Sequence, residues 1–358
     1  MHGLDLPPRP RILIVALRRL GDVLLTTPLI RSVRRAFADA TIDVLVFADT
    51  AGILEGNPDI DNCLTLPPRA RLAESLAMAA RLWRRYDLAI ATQAGDRPTL
   101  YAALAGRRRA GMVEPRFIGT LKRLLLDRAL PLVAGAHRVE EMLALARLIG
   151  IEPVPQIVPP QPGALPDALP AAYAVLHAAP MYVYKSWTGD GWRALARHLG
   201  ECGLGVIATG GPAAAERAYL DAVFAGLPAV RRLDAALSWS ALTALLARAR
   251  VFVGPDTSVT HLAAAAGCPV VALFGPTDPR LWAPWPAGGL TMPWAPSAAV
   301  QMRGNVRLLQ HPMSCQPCQE EGCLRRLDSY SLCLDRLSPQ AVITAVDAAL
   351  AQPPAGSN

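Results

Sequence analysis

The stretch from Arg250 to Asp278 limits the fold more than any other part of the chain. Val251, Phe252 and Val253 form a short apolar run, the pattern of a strand buried on both faces of a parallel sheet. Gly254 and Pro255 interrupt it. Asp256, Thr257 and Ser258 are good helix-capping types, and the Ala-rich segment from Thr257 to Ala266 reads as a helix. Gly267 and Pro269 end that helix, Val270 to Phe274 reads as the next strand, and Gly275-Pro276-Thr277 as a second tight turn. A helix that begins at the carboxyl end of a parallel strand presents N–H groups and partial positive charge, which suits a phosphate. His261, one turn in, is placed near the same mouth. A plain capped strand–helix–strand unit has the same outline, since the turn is neither G-x-G-x-x-G nor a P-loop.

The same alternation runs through both halves of the chain. Arg11 to Leu17 is a buried strand, Arg18 to Asp22 a turn, and Asp22 to Phe37 a helix in which Pro28 predicts a local kink. Asp22 is either a helix cap or an acid facing the ligand crevice at the carboxyl edge of an open sheet. Further strands are expected at Thr41–Phe47, Cys63–Leu66 and Asp87–Thr92, and a helix opens at His137, there a structural residue. Arg107, Arg108 and Arg109 read as a basic loop, either solvated or facing an anionic acceptor. Seven prolines from Pro153 to Pro170 rule out a helix or central strand and mark the domain join. Beyond it, Tyr173 to His177 is a strand, and Lys185 lies in the following loop, either solvated or meeting a phosphate. Gly210-Gly211 forms a turn, and Glu216 in the next helix either faces solvent or accepts from a ribose. Trp282, Trp285 and Trp294 read as packing residues. The expected architecture is α/β: two doubly wound domains facing across a cleft, at 1–165 and 166–358.

Charge narrows the partners. Residues 1–150 hold 22 Lys+Arg against 15 Asp+Glu, while residues 151–358 balance at 14 and 14, so the first half carries the whole net charge of +7. A basic half favours a phosphorylated lipid or a membrane surface. Low aromatic content and the absence of any nucleic-acid motif argue against nucleic acid. With no apolar run of spanning length and no signal peptide, the expected location is cytoplasmic.

Four of the seven cysteines fall between Cys315 and Cys333. The spacing of Cys315, Cys318, Cys323 and Cys333 is compatible either with free thiols or with a structural zinc held by four thiolates, a set with no open position for chemistry. Cys63, Cys202 and Cys268 read as ordinary buried cysteines.

Taken in order, these residues resemble the ADP-heptose:lipopolysaccharide heptosyltransferases, glycosyltransferase family nine, of the GT-B fold. The likeness covers nearly the whole chain. Its marks are Arg-Leu-Gly-Asp22, Arg-Arg-Ala-Gly111, His137, Lys185-Ser-Trp187, and Gly210-Gly211 with Glu216. Gly254-Pro-Asp256-Thr257, His261-Leu-Ala-Ala-Ala and Leu273-Phe-Gly-Pro-Thr277 are its most specific motif, and Cys315-x-Pro-Cys318 with Cys323 and Cys333 is similar to the branch that adds the second heptose. Two features depart from the family. Ser258 stands where Gly is usual after Asp-Thr, and Met181-Tyr-Val-Tyr184 lacks a small hydroxyl pair.

The resemblance implies inverting transfer of heptose from ADP-heptose to the inner core on lipid A, at the cytoplasmic face of the inner membrane. It implies Asp22 as general base, with Lys185 and the N–H groups at Thr257 and Ser258 stabilising the leaving ADP. Asp256 would orient Lys185 or a sugar hydroxyl, His261 would donate to a phosphate and Glu216 would hold the ribose. Arg107, Arg108 and Arg109 would meet the anionic acceptor, and no metal is required. The competing readings are a transferase of the same fold using another nucleotide sugar and a non-catalytic nucleotide-sugar-binding protein.

Overall fold

Six short segments rich in Val, Ile, Leu and Ala build the first sheet: β1 (Arg11–Ala16), β2 (Thr41–Phe47), β3 (Asn62–Leu66), β4 (Tyr86–Ala91), β5 (Gly106–Val113) and β6 (Arg128–Pro131). All are parallel, in the order β3-β2-β1-β4-β5-β6. Ile12, Leu13, Ile14 and Val15 are all fully buried. Burial on both faces explains why β1 reads as a continuous apolar run rather than an alternating one. The strand order reverses between β1 and β4, and the loops leaving these two strands frame the crevice where an open α/β sheet takes its ligand.

The second sheet repeats the plan with β7 (Tyr173–Leu176), β8 (Gly205–Gly210), β9 (Val230–Asp234), β10 (Val251–Pro255), β11 (Val270–Leu273), β12 (Val300–Arg303) and β13 (Val306–Leu309). Its order is β12-β13-β11-β10-β7-β8-β9, parallel except for β12, which runs antiparallel to β13 at the edge. Here the reversal falls between β7 and β10. Trp187 and Trp192 meet edge to face beneath the sheet, ring centroids 5.1 Å apart, and the Trp187 indole donates to the Leu337 carbonyl at 2.8 Å. Gly191 allows this packing, since a Cβ there would stand 2.4 Å from the Trp187 ring. Burying each indole contributes on the order of 2–3 kcal/mol.

These facts come from a computed structural model that describes residues 5–115, 117–234 and 237–352. The chain divides into two compact units, Met1–Pro160 and Gln161–Asn358. The division falls five residues before the expected 165/166. The Val154 N–H donates to Ser32 Oγ at 2.8 Å and the Val158 N–H to Thr27 Oγ1 at 2.9 Å, so the front of the proline segment belongs to the first unit. Pro28 does not kink a helix. A short helix, Leu20–Leu24, ends, and Pro28 opens a second, Thr27–Ala36, where its missing N–H costs nothing. Cys268 is buried, but Cys63 and Cys202 are exposed, against expectation. Trp285 and Trp294 are buried, as packing residues. Among the described residues, no helix is long and apolar enough to cross a membrane.

Candidate functional site

In the first unit, β1 ends at Ala16 and the Leu20–Leu24 helix carries Asp22 in its first turn, at the carboxyl edge beside the reversal. Asp22 is buried. Its Oδ1 faces Arg18 Nε at 3.7 Å and Arg138 Nε at 3.8 Å, and accepts no hydrogen bond. The Arg138 Nε opposite is equally unsatisfied. Leaving such buried atoms unpaired costs about 1–3 kcal/mol each, so a water or a ligand that completes the bond is favoured there. A sugar hydroxyl placed against Asp22 Oδ1 would do so.

Arg138 carries no mark in the sequence beyond its place after His137. The His137 side chain caps the Arg138–Leu148 helix by accepting from the Val139 N–H at 3.1 Å, which makes His137 structural. Arg138 is buried, donating to the Thr92 carbonyl at 2.7 Å and to Glu141 at 2.7 Å. Thr92 follows β4 and donates to the Val15 carbonyl at 3.0 Å. Arg138 therefore ties together the two loops that flank the reversal and sets a fixed positive charge beside Asp22.

Arg107, Arg108 and Arg109 are not in a loop. They open β5, at the amino edge of the sheet, opposite the edge that carries Asp22. Gly106 fits there because a Cβ would come within 2.8 Å of the Ala89 Cβ. Arg109 is committed to Asp127 through two bonds of 3.1 Å. Burial works to raise the Asp127 carboxyl, but Arg109 outweighs it and holds the group below its usual range. The three arginines are thus separated from the candidate base by the length of the strands.

In the second unit the Arg250–Asp278 stretch forms β10, the helix Ser258–Ala265 and β11. Thr257 is the cap, and Ser258 and Val259 open the first turn, where N–H groups have no helical partner. Asp256 is buried. Its Oδ2 accepts from Lys185 Nζ at 2.5 Å and from Thr277 Oγ1 at 2.8 Å. Burial raises the Asp256 carboxyl, yet Lys185, His261 and the two hydrogen bonds prevail and keep it below the ordinary carboxylate range. Lys185 lies in the loop after β7, and Thr277 in the turn after β11. Three loops that the sequence singled out separately therefore meet on one carboxylate. His261 is buried in the same helix. Glu216 sits in the first turn of the Ala214–Val223 helix and accepts from the Gly211 N–H at 2.7 Å, so one oxygen closes its own turn.

The cysteine segment braces these loops. Gln316 Nε2 donates to the Gly275 carbonyl at 2.9 Å, the Gln319 N–H to the Pro276 carbonyl at 2.9 Å, and Ser331 Oγ to the Tyr184 carbonyl at 2.6 Å. Burial, and then the neighbouring thiols of Cys318 and Cys323, push the Cys333 thiol up to about 11. Among the described residues, no three of Cys315, Cys318, Cys323 and Cys333 offer sulfurs within 4.8 Å of one another.

His177, which the sequence placed at the end of a strand without a role, is buried beside the same reversal. It shares a 3.0 Å hydrogen bond with Thr209 Oγ1. Burial lowers it to about 4, outweighing a hydrogen bond to the Thr209 backbone that raises it. The folded chain thus keeps His177 neutral at pH values where the unfolded chain, at 6.5, takes up a proton. Its contribution is complete above pH 6.5 and is lost as the pH falls toward 4, by about 3 kcal/mol in all. Denaturant titrations across that window should show the slope, and His177→Gln should flatten it. An unchanged slope in the variant would place the proton uptake elsewhere.

Two doubly wound units, one with a buried carboxylate and the other with a cation-bearing helix mouth at the strand reversal, have the architecture of the GT-B fold class. A chain from Veillonella parvula, described as a glycosyl transferase family 9 crystal structure, superposes with a TM-score of 0.78 at 18% identity, covering 98% of this chain and 99% of that one. Escherichia coli ADP-heptose lps heptosyltransferase II gives 0.72 at 20% identity, covering 95% of this chain and 98% of that one. The family model for glycosyltransferase family 9 (heptosyltransferase) matches residues 75–323. Lipopolysaccharide heptosyltransferase 1 of Pseudomonas aeruginosa is 30% identical over 364 residues, covering 96% of this chain and 99% of that protein. Lipopolysaccharide heptosyltransferase 3 of Escherichia coli is 29% identical over 284 residues, covering 74% of this chain and 83% of that protein. The chain belongs to glycosyltransferase family 9.

Proposed function

We propose that the protein is an inverting heptosyltransferase that moves heptose from ADP-heptose to the inner core of lipopolysaccharide. The observation that carries the reading is the Lys185–Asp256–Thr277 junction at the mouth of the Ser258–Ala265 helix. Leaving-group departure adds negative charge to the diphosphate, and a fixed ammonium beside a helix N-terminus lowers the barrier by stabilising that charge. These groups supply the positive charge that a metal ion supplies in other transferases. His261 would donate to a phosphate oxygen, and Glu216 would accept from the ribose. Asp22 would take the proton of the acceptor hydroxyl as its oxygen bonds the anomeric carbon and the bond to the diphosphate breaks. A basic first half and an anionic lipid acceptor favour work at the cytoplasmic surface of the inner membrane.

The test is ADP release by purified protein with ADP-heptose and a truncated, phosphorylated lipid A–core acceptor, run beside other nucleotide sugars. Acceptor-dependent turnover only with ADP-heptose is expected. Preference for another nucleotide sugar would replace the donor, and donor binding without turnover on any acceptor would favour a binding protein.

A further inference from the structure

His198, Cys202 and Asp347 form a second constellation, away from the junction on Asp256. His198 lies in the last turn of the Gly189–Glu201 helix and Cys202 is its C-cap, one turn further on. Asp347 comes from the Pro339–Leu350 helix, which packs alongside. Both helices are anchored in one core, by Trp192, Leu195 and Leu199 on the first and Val342, Val346 and Ala349 on the second. The three side chains therefore project from rigid supports. His198 Nε2 is 2.7 Å from Asp347 Oδ1 and 3.6 Å from Cys202 Sγ, and all three ligand atoms lie within 4.8 Å of one another.

A hydrogen bond between His198 and Asp347 accounts for two of these groups, and at a surface such a contact contributes little. It gives no reason for a thiol on the same nitrogen. A tetrahedral cation does. With bonds of about 2.0–2.1 Å to nitrogen, about 2.3 Å to sulfur and about 2.0–2.2 Å to oxygen, the nitrogen–sulfur separation is about 3.6 Å and the nitrogen–oxygen separation about 3.4 Å. The first is already present, and the second needs only a turn of the exposed Asp347 side chain. We propose that His198, Cys202 and Asp347 bind a divalent cation of the zinc class that clasps the Pro339–Leu350 helix to the Gly189–Glu201 helix.

The donor set selects the metal. Imidazole with thiolate suits zinc or cobalt and disfavours magnesium and calcium, which take oxygen ligands. Three protein ligands leave the fourth position to water. The C-terminus of the Gly189–Glu201 helix adds a favourable partial negative charge. Cys202 and Asp347 are exposed, which gives the ion an entry path. Since the unfolded chain lacks the arrangement, binding stabilises the fold.

The experiment is a cobalt(II) titration of metal-free full-length protein in which Cys315, Cys318 and Cys323 are replaced by Ser. A thiolate-to-cobalt absorption band is expected to saturate at one equivalent and to be reversed by zinc. Cys202→Ser should abolish the band. His198→Gln and Asp347→Asn, which remove ligands themselves, should weaken binding by at least the factor on the order of 10–100 that loss of a ligand's supporting partner costs. Cys63→Ser should leave it unchanged. Zinc should raise the Tm of the unsubstituted protein by at least about 3 °C, but not that of Cys202→Ser. If the triple substitution does not fold, the difference spectrum between wild type and Cys202→Ser answers the same question. Identical cobalt binding with and without Cys202, or a thiolate band that is absent throughout, overturns the proposal.

Discussion

Asp22→Asn should lower kcat by a factor of about 100 or more, the scale of general-base loss, while leaving the KM for the nucleotide sugar nearly unchanged. The substitution keeps the shape of the side chain but removes its charge, which faces Arg18 and Arg138, along with its capacity to take a proton. Asp22 Oδ1 accepts no hydrogen bond in the folded chain, and Arg138 keeps its bonds to Thr92 and Glu141 without it. The Tm should therefore move little. Donor affinity should also hold, because the residues assigned to the donor all lie in the second unit, whereas Asp22 lies in the first. Steady-state kinetics with ADP-heptose and the lipid acceptor, together with a thermal melt, test this directly. A loss of threefold or less would assign proton removal to another group. A large loss accompanied by unfolding would make Asp22 a structural residue instead.

The parts of this site differ in how far the sequence discloses them. The strand, turn and helix around Asp256 are legible because local rules decide them: an apolar run, a Gly-Pro break and a capping triplet all point the same way. That Lys185, Thr277 and Asp256 share one carboxylate is not legible, because 71 and 21 residues separate the partners and only the sheet order brings them together. Arg138 left no signal, since a basic residue at a helix start looks solvated until β4 is seen to pass beneath it. The three arginines at 107–109 read as a loop because charge predicts exposure, and Arg107 and Arg108 are exposed. They lead a strand whose later residues, Ala110 to Val113, carry the burial. Residue type alone places Cys202 in the core. It follows Leu199 at helical spacing, but the helix ends first and turns it outward.

Lys185→Met should reduce kcat/KM by a factor on the order of 100–1,000, and the way stability responds separates its two roles. The ammonium is proposed to face the diphosphate and is also bonded to Asp256. Removing it leaves a buried carboxylate with Thr277 and His261 as its remaining partners, a change that costs stability. Lys185 is partly exposed, with 21% of its side chain open to solvent, so solvent screening reduces the loss to about 2 kcal/mol. Because the folded-state Asp256 carboxyl is depressed, its contribution is present in full above pH 3.8 and is lost only as the pH falls below that value. In Lys185→Met the burial of Asp256 is no longer outweighed by the ammonium and pushes that carboxyl up, so the stability difference from wild type should be largest at high pH and shrink as the pH falls and the stranded group takes up a proton. The double variant Lys185→Met, Asp256→Asn removes the stranded charge and should regain most of the lost Tm. Its activity should stay low, because an amide does not replace an ammonium beside a departing diphosphate. Were the double variant to regain activity along with stability, Lys185 would be a support for Asp256 and the charge stabilisation would rest on the helix terminus alone.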